Sequence, residues 1–206
     1  MEWSSVFSIV IGVSVIFGIF LTLHSRKKDG ARRRAQLCQH LQKIGINAYA
    51  IQIGDIREKI GQKRSLGKKS MGIIGLNDRN VDSINIIGIS SQYGTNYFVD
   101  YLVKSANIIE RRMLGKVKLI RRKNRPLWGK VTSVEWAGDK SLSQNLNFDY
   151  NLEGKLLSCE MQGLGKNIQI IPEPEYEYAR IKTDYFLPSS EAFEAIDIIA
   201  KHIKSW

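Results

Sequence analysis

Eighteen consecutive residues near the amino terminus, Val6 to Leu23, carry no charge, no proline and no amide side chain, and they constrain the chain more than anything after them. Thirteen of them are Val, Ile, Leu or Phe. As a helix the run spans about 27 Å, close to the roughly 30 Å hydrocarbon core of a bilayer. At roughly −0.3 to −0.6 kcal/mol each in mid-bilayer, the branched and aromatic side chains contribute about −4 to −8 kcal/mol before Ser, Gly and Thr subtract. The sequence therefore predicts a single transmembrane helix over residues 6–24, with Val6, Ile9, Val13, Phe17, Phe20 and Leu23 as its lipid-facing anchor.

A cleavable signal peptide would need a basic leader, an apolar run of roughly 7–15 residues and a small-x-small cleavage site. Met1–Ser5 holds no Lys or Arg, and Leu23-His24-Ser25-Arg26 offers no such site. Just past the run, Arg26, Lys27, Lys28, Arg32, Arg33 and Arg34 stand against one acid, Asp29. By the positive-inside rule, this collar (residues 25–34) is expected in the cytoplasm, residues 1–5 outside, and Trp3 at the outer interface. A plasma or inner membrane is the expected location. The spacings Ser8–Gly12 and Ser14–Gly18 would permit close helix approach and a weak homo-oligomer, but small residues are common in membrane helices and the pattern specifies little.

Residues 35–206 then suit one domain with a real core, since no Pro-, Gly- or Ser-rich linker and no repeat divides them. Charge is uneven: residues 1–130 hold 24 Lys and Arg against 8 Asp and Glu, whereas residues 131–206 hold 7 against 12. Such a basic front and acidic back can attract each other within a fold or between copies. Cys38 and Cys159 lie far apart with no CxxC, and in a cytoplasmic domain they are expected reduced and buried.

Periodicity supplies the elements. Leu37, Leu41 and Ile44 predict a helix over Ala35–Ile44 closed by Gly45. Ile46–Ile53 reads as extended, and Asp55 with Glu58 as a capping pair for a short helix over Ile56–Ile60. Gly61–Ser70 reads as a basic loop, and Met71–Leu76 and Ile84–Ser90 as strands around Asn77–Asn80. Tyr97–Leu114 carries two patterns. Asp100, Lys104, Asn107 and Arg111 form a polar helical face, while Tyr97–Val103 is rich in strand formers and favours a strand through Val103.

Lys116–Lys123 and Lys130–Trp136 predict two strands, and Ser141–Gln162 one or two helices capped by Asp149 or Asn151. Strands at Ile168–Ile171 and Tyr176–Phe186 flank Pro172–Glu175. The last element, Glu191–Lys204, places Phe193, Ile196, Ile199 or Ala200, and Ile203 on one face, with acids first and cations last. The expected fold is a transmembrane helix followed by a soluble α+β domain, its sheet largely antiparallel and closed by an amphipathic C-terminal helix.

Catalytic motifs are sparse. Gly61–Ser70 has five residues between its glycines and Lys69 where a phosphate-binding loop needs a hydroxyl. His24, His40 and His202 are scattered, and Cys38 and His40 would point to different faces of one helix, so no metal site is expected. No GxSxG elbow occurs. Asp149 with Glu153 reads as helix-start chemistry, and Glu173, Glu175 and Glu177 as exposed edge acids. No catalytic residue and no cofactor is assigned.

Arg111–Lys130 carries nine cations and no acid. Its expected turn, with Arg121, Arg122, Lys123, Arg125 and Trp128, suits anionic headgroups at about 1 kcal/mol per cation. For a chain already tethered to a bilayer, lipid is a more economical ligand than nucleic acid. The expected function is a membrane-anchored binding or scaffold domain that contacts anionic lipid, through the collar cations Arg26, Lys27, Lys28, Arg32, Arg33 and Arg34 and the Arg121–Trp128 turn, or a protein partner. A tethered enzyme or small-ligand domain, with a pocket between the sheet and the C-terminal helix, is the alternative.

Overall fold

Burial alternates along Tyr178–Asp184, with Ala179, Ile181 and Thr183 inside, as a strand with one fully covered face requires. The same physics builds eight strands: β1 (Ala48–Ala50), β2 (Lys68–Leu76), β3 (Ser83–Ser91), β4 (Gly94–Lys104), β5 (Val117–Lys123), β6 (Val131–Ala137), β7 (Gln169–Glu173) and β8 (Tyr178–Asp184). They form one sheet in the order β1-β2-β3-β4-β8-β7-β5-β6, and each pairing is antiparallel. The computed structural model describes residues 29–62, 67–105, 108, 115–124, 130–159 and 167–205. The expected span Val6–Leu23, with Arg26, Lys27 and Lys28 of the collar, lies outside them, as do Arg125 and Trp128. Among the described residues, no helix is long and apolar enough to cross a membrane.

On one face lie the helices α1 (residues 29–43), α2 (Lys140–Asn147), α3 (Tyr150–Ser158) and α4 (Ser190–Ser205). Leu37 and Leu41 of α1, Leu142 and Leu146 of α2, Leu152 and Leu156 of α3, and Phe193, Ile196, Ile199 and Ile203 of α4 share a core with Ile84, Ile86, Val99, Tyr101, Leu119 and Ile181 of the sheet. The α+β architecture with its C-terminal helix is as expected. Asp139 and Asp149 begin α2 and α3 by accepting bonds from Ser141 N (3.2 Å) and Leu152 N (2.9 Å), so Asp149 rather than Asn151 is the cap.

Some boundaries differ from the sequence reading. Helix α1 is already formed at residue 29, within the basic collar. The expected loop Gly61–Ser70 yields its last three residues to β2, where Lys68 and Lys69 pair opposite Ile89 and Gly88. The polar helical face through Asp100 does not exist, because Asp100 lies inside β4, opposite Asn85 and Lys182. Glu58 bonds the N–H of Gly54 (3.2 Å) and not that of Asp55, so only half of the expected capping box forms.

The opposite face of the sheet is covered by a short strap, the 3-10 turn Ile56–Lys59 and its flanks. Asn85 Nδ2 donates to the carbonyls of Arg57 (3.2 Å) and Ile60 (3.2 Å), while its Oδ1 accepts from Ser70 Oγ (2.7 Å). Ile60, Ile73, Ile87 and Leu102 are buried beneath the strap. Gly61 lies so close to the sheet that a Cβ there would stand 2.6 Å from Asp100 Oδ2, and its φ of +83° is itself strained for other residues.

The α1 overhang past Ala35 is structural. Arg33 stacks on the rings of Tyr97 (4.2 Å) and Tyr185 (5.0 Å), and Tyr185 OH donates to Arg33 O (3.1 Å). A chain trimmed to begin at Ala35 should therefore be less stable than one trimmed to begin at Asp29 by about 1–2 kcal/mol, the scale of a partly buried cation–π contact and a hydrogen bond. Urea unfolding of the two checks this, and equal midpoints would place the domain boundary at Ala35.

Candidate functional site

Strand register defines two ends of the sheet. At one end stand the last residues of β8 and β5 and the first of β4 and β6, since Asp184 pairs with Phe98, and Lys123 with Val131. Helix α1 begins at this same end, where Arg33 meets Tyr97 and Tyr185. It then runs to the other end, where Asn47 O accepts from Asn77 N (3.1 Å). The chain thus leaves the collar beside the end that carries the β5–β6 hairpin. At about 4.8 Å per strand, β4 and β5 are about 14 Å apart across this end.

This juxtaposition brings together residues singled out from sequence. Arg32 and Lys123 are exposed, Arg121 is half-buried, and Lys130 closes the hairpin stem by accepting Asn124 N at its carbonyl (3.1 Å). Other members are engaged internally. Arg122 is paired with Glu135 on the neighbouring strand, Arg33 is stacked, and Arg34 Nη1 donates to Ile51 O (3.4 Å). Sequence reasoning missed Lys68 and Lys69, which β2 carries to this end. Their signal was present in the basic loop, but only pairing with β3 gives them a position.

The far end is of mixed charge: Asp78, Asp82, Glu175 and Glu177 stand there with Arg79, Lys104 and Lys116, Lys204 pairs with Asp82, and Glu173 is held by Arg180.

A second cluster lies under the strap, and the sequence reading did not assemble it. Arg180 bridges Asp100 Oδ2 (3.1 Å) and Glu173 Oε1 (2.7 Å), and Lys182 beside it stacks on Phe98 at 4.2 Å. Asp100 is 1% exposed, and its Oδ1 has no partner among the described residues. Burial pushes its carboxyl above the usual range, outweighing Arg180 and Lys182. Burial likewise lowers the Lys182 ammonium. Gly61 and Asn85 close the cluster over, so it holds the strap on the sheet and presents no reacting group to solvent.

The remaining candidates take structural roles. His40 contacts Pro188 O (2.7 Å), joining α1 to the start of α4. His202 meets Asp149 Oδ2 at 2.8 Å. Burial alone would raise the Asp149 carboxyl, but the bonds from His202 and Leu152 N–H hold it below the usual range. Cys38 and Cys159 are buried and free, and burial pushes both thiols up, away from the thiolate that reactivity needs. No group of three or more His, Cys, Asp or Glu among the described residues could hold a metal ion. Between sheet and α4 the side chains leave an apolar cavity of about 10 Å³, lined by Ile108, Leu142, Ile170 and Ile203, space for no more than a water-sized molecule.

Comparison of the chain with protein-family models, curated proteins and solved structures finds no match. The class that the fold defines is an α+β domain on one antiparallel sheet, with helices on one face and a strap on the other. Its most distinctive surface is the basic end where α1 begins.

Proposed function

We propose that the chain is a single-pass membrane protein whose domain rests with its basic end on the anionic cytoplasmic surface of the bilayer and works there as a binding or scaffold module. The observation that carries this reading is the strand register, which brings the start of α1 and the β5–β6 hairpin to one end of the sheet.

The tether is short. Residues 24–28 separate the expected span from the first described turn of α1. Extended at about 3.6 Å per residue, the path from Leu23 to Asp29 reaches at most about 22 Å. Lys69, Lys123, Lys130 and Arg32 are exposed at this end. At about 1 kcal/mol each they contribute about 4 kcal/mol, a roughly millimolar affinity. A short tether supplies a local concentration of the same order, so weak contact is enough.

The test uses the full chain in nanodiscs. Hydrogen exchange at the ends of β5 and β6 should slow when the lipid is anionic, and replacing Lys69, Lys123 and Lys130 by Glu should abolish the difference. Identical exchange in zwitterionic and anionic discs would remove lipid contact from the reading. For orientation, a reporter fused after Trp206 should be active in the cytoplasm; activity on the outer side would reverse the topology.

A further inference from the structure

The β3–β4 hairpin extends beyond the pairing of β4 with β8 at the basic end. The last β8 pairing joins Asp184 to Phe98, and one further bond joins Tyr185 N to Tyr97 O (3.1 Å). Past that level β4 continues through Gly94–Asn96, paired only with β3, an overhang of about 10 Å before the turn itself. At its tip Tyr93 is 91% exposed, the most exposed of the large hydrophobic side chains among the described residues.

The chemistry of this overhang is unusual for a solvent turn. Residues 83–99 contain no charged side chain, and those around the tip are Ser90, Ser91, Gln92, Gly94 and Thr95. Lys68 and Lys69 flank it on β2. An uncharged polar tip with one aromatic ring, and long cationic side chains rooted about 10 Å behind it, suits the layering of a bilayer surface. Tyrosine partitions to the headgroup level, and ammonium groups meet phosphate just outside it.

We propose that the β3–β4 turn is a second membrane contact, with Tyr93 inserted at the headgroup level of an anionic bilayer and Lys68 and Lys69 on its phosphates. This rests on the proposed membrane docking and adds to it an orientation, the strands standing along the membrane normal with the β2–β3 turn outermost. Two separated contacts, the Tyr93 tip and the β5–β6 hairpin, fix the tilt of the domain where one alone would leave it free to roll.

The experiment places a fluorophore on Gln92→Cys, leaving Tyr93 in place, in the full chain in anionic nanodiscs containing headgroup spin-labelled lipid. Cys38 and Cys159 are buried, so labelling is selective in the folded protein. Parallel samples carry the label at Asn124→Cys, exposed and uncharged at the β5–β6 stem, and at Arg79→Cys, on the turn between β2 and β3 at the far end. Emission from position 92 should fall by about half or more, as for a group at headgroup depth, and that from position 79 should be unchanged. In the position-124 sample, Tyr93→Ser should lower the docked-to-undocked ratio about fivefold, and Tyr93→Trp should preserve it.

Quenching at 124 without quenching at 92 would overturn this inference and leave the docking intact. Absence of quenching at both would overturn the two together. Equal quenching at 92 and 79 would refute the orientation.

Discussion

Replacing Arg180 by Met should destabilise the domain by about 3–5 kcal/mol, because it strands a buried carboxylate. Asp100 is 1% exposed, and among the described residues its ion-pair partner is Arg180, which also holds Glu173. For a domain with a total stability of about 5–15 kcal/mol, that loss is a large fraction. Urea unfolding at neutral pH measures it.

The pH dependence has a definite sign. Burial already raises the Asp100 carboxyl in the folded state above its unfolded value. The folded state therefore binds that proton more tightly. The stability this carboxyl contributes is present in full below the unfolded pKa and is lost as pH rises through the folded one. Without Arg180 the folded pKa rises further, so the deficit of Arg180→Met should shrink as the solution is acidified. The double change Arg180→Met with Asp100→Leu should recover most of the stability, since an apolar pair of similar volume needs no compensation. An Arg180→Met midpoint within about 1 kcal/mol of the parent at neutral pH would mean that water reaches Asp100 and that the strap does not seal the cluster.

Phe193→Asp should unfold the domain outright. Phe193 is 2% exposed and meets Tyr101 edge-on at 6.3 Å, at the centre of the α4 face that also buries Ile196, Ile199 and Ile203. Loss of the ring costs about 3–5 kcal/mol, and a carboxylate placed in the same apolar space adds its desolvation. Lys201 is exposed on the other side of the helix, and Lys201→Ala should stay within about 0.5 kcal/mol. Near-ultraviolet circular dichroism and thermal melting separate the two. A cooperative transition retained by Phe193→Asp would mean that α4 is not docked on the sheet.

Elements whose pattern is local were legible. Helix α4 has an apolar stripe at helical spacing, acids in its first turn and cations in its last, and it formed over Ser190–Ser205. Asp149 sits where an N-cap belongs and caps α3. Strand β4 was harder to read. Asp100 and Lys104 are four apart, as on a helix, and the strand is buried on both faces from Val99 to Val103, which erases the alternation that identifies a half-covered strand. Strand-forming residues tipped the reading the right way, but they could not show that Asp100 is covered, since the strap that covers it comes from Asp55–Gln62.

The candidate surface divides the same way. Arg121, Arg122 and Lys123 stood out as an acid-free run, whereas Lys68, Lys69 and Tyr93 did not, and Arg33 and Arg34 read as part of a lipid-binding collar, whereas α1 packs both against the domain. Arg180 carried no signal at all. Its partner Asp100 lies 80 residues earlier and becomes a neighbour only when β8 pairs with β4.

By itself the sequence determined what depends on neighbours a few residues away. That includes the length and apolarity of Val6–Leu23, the period of each helix and strand, the aspartate caps, and the excess of cations in one half and acids in the other. Tertiary structure alone decided which of these meet. Strand order and register arise from many weak cross-strand contacts summed over segments up to a hundred residues apart, and no single residue encodes them. That sum brought Lys68, Lys69, Lys123 and Lys130 to one end of the sheet, and set the start of α1 there.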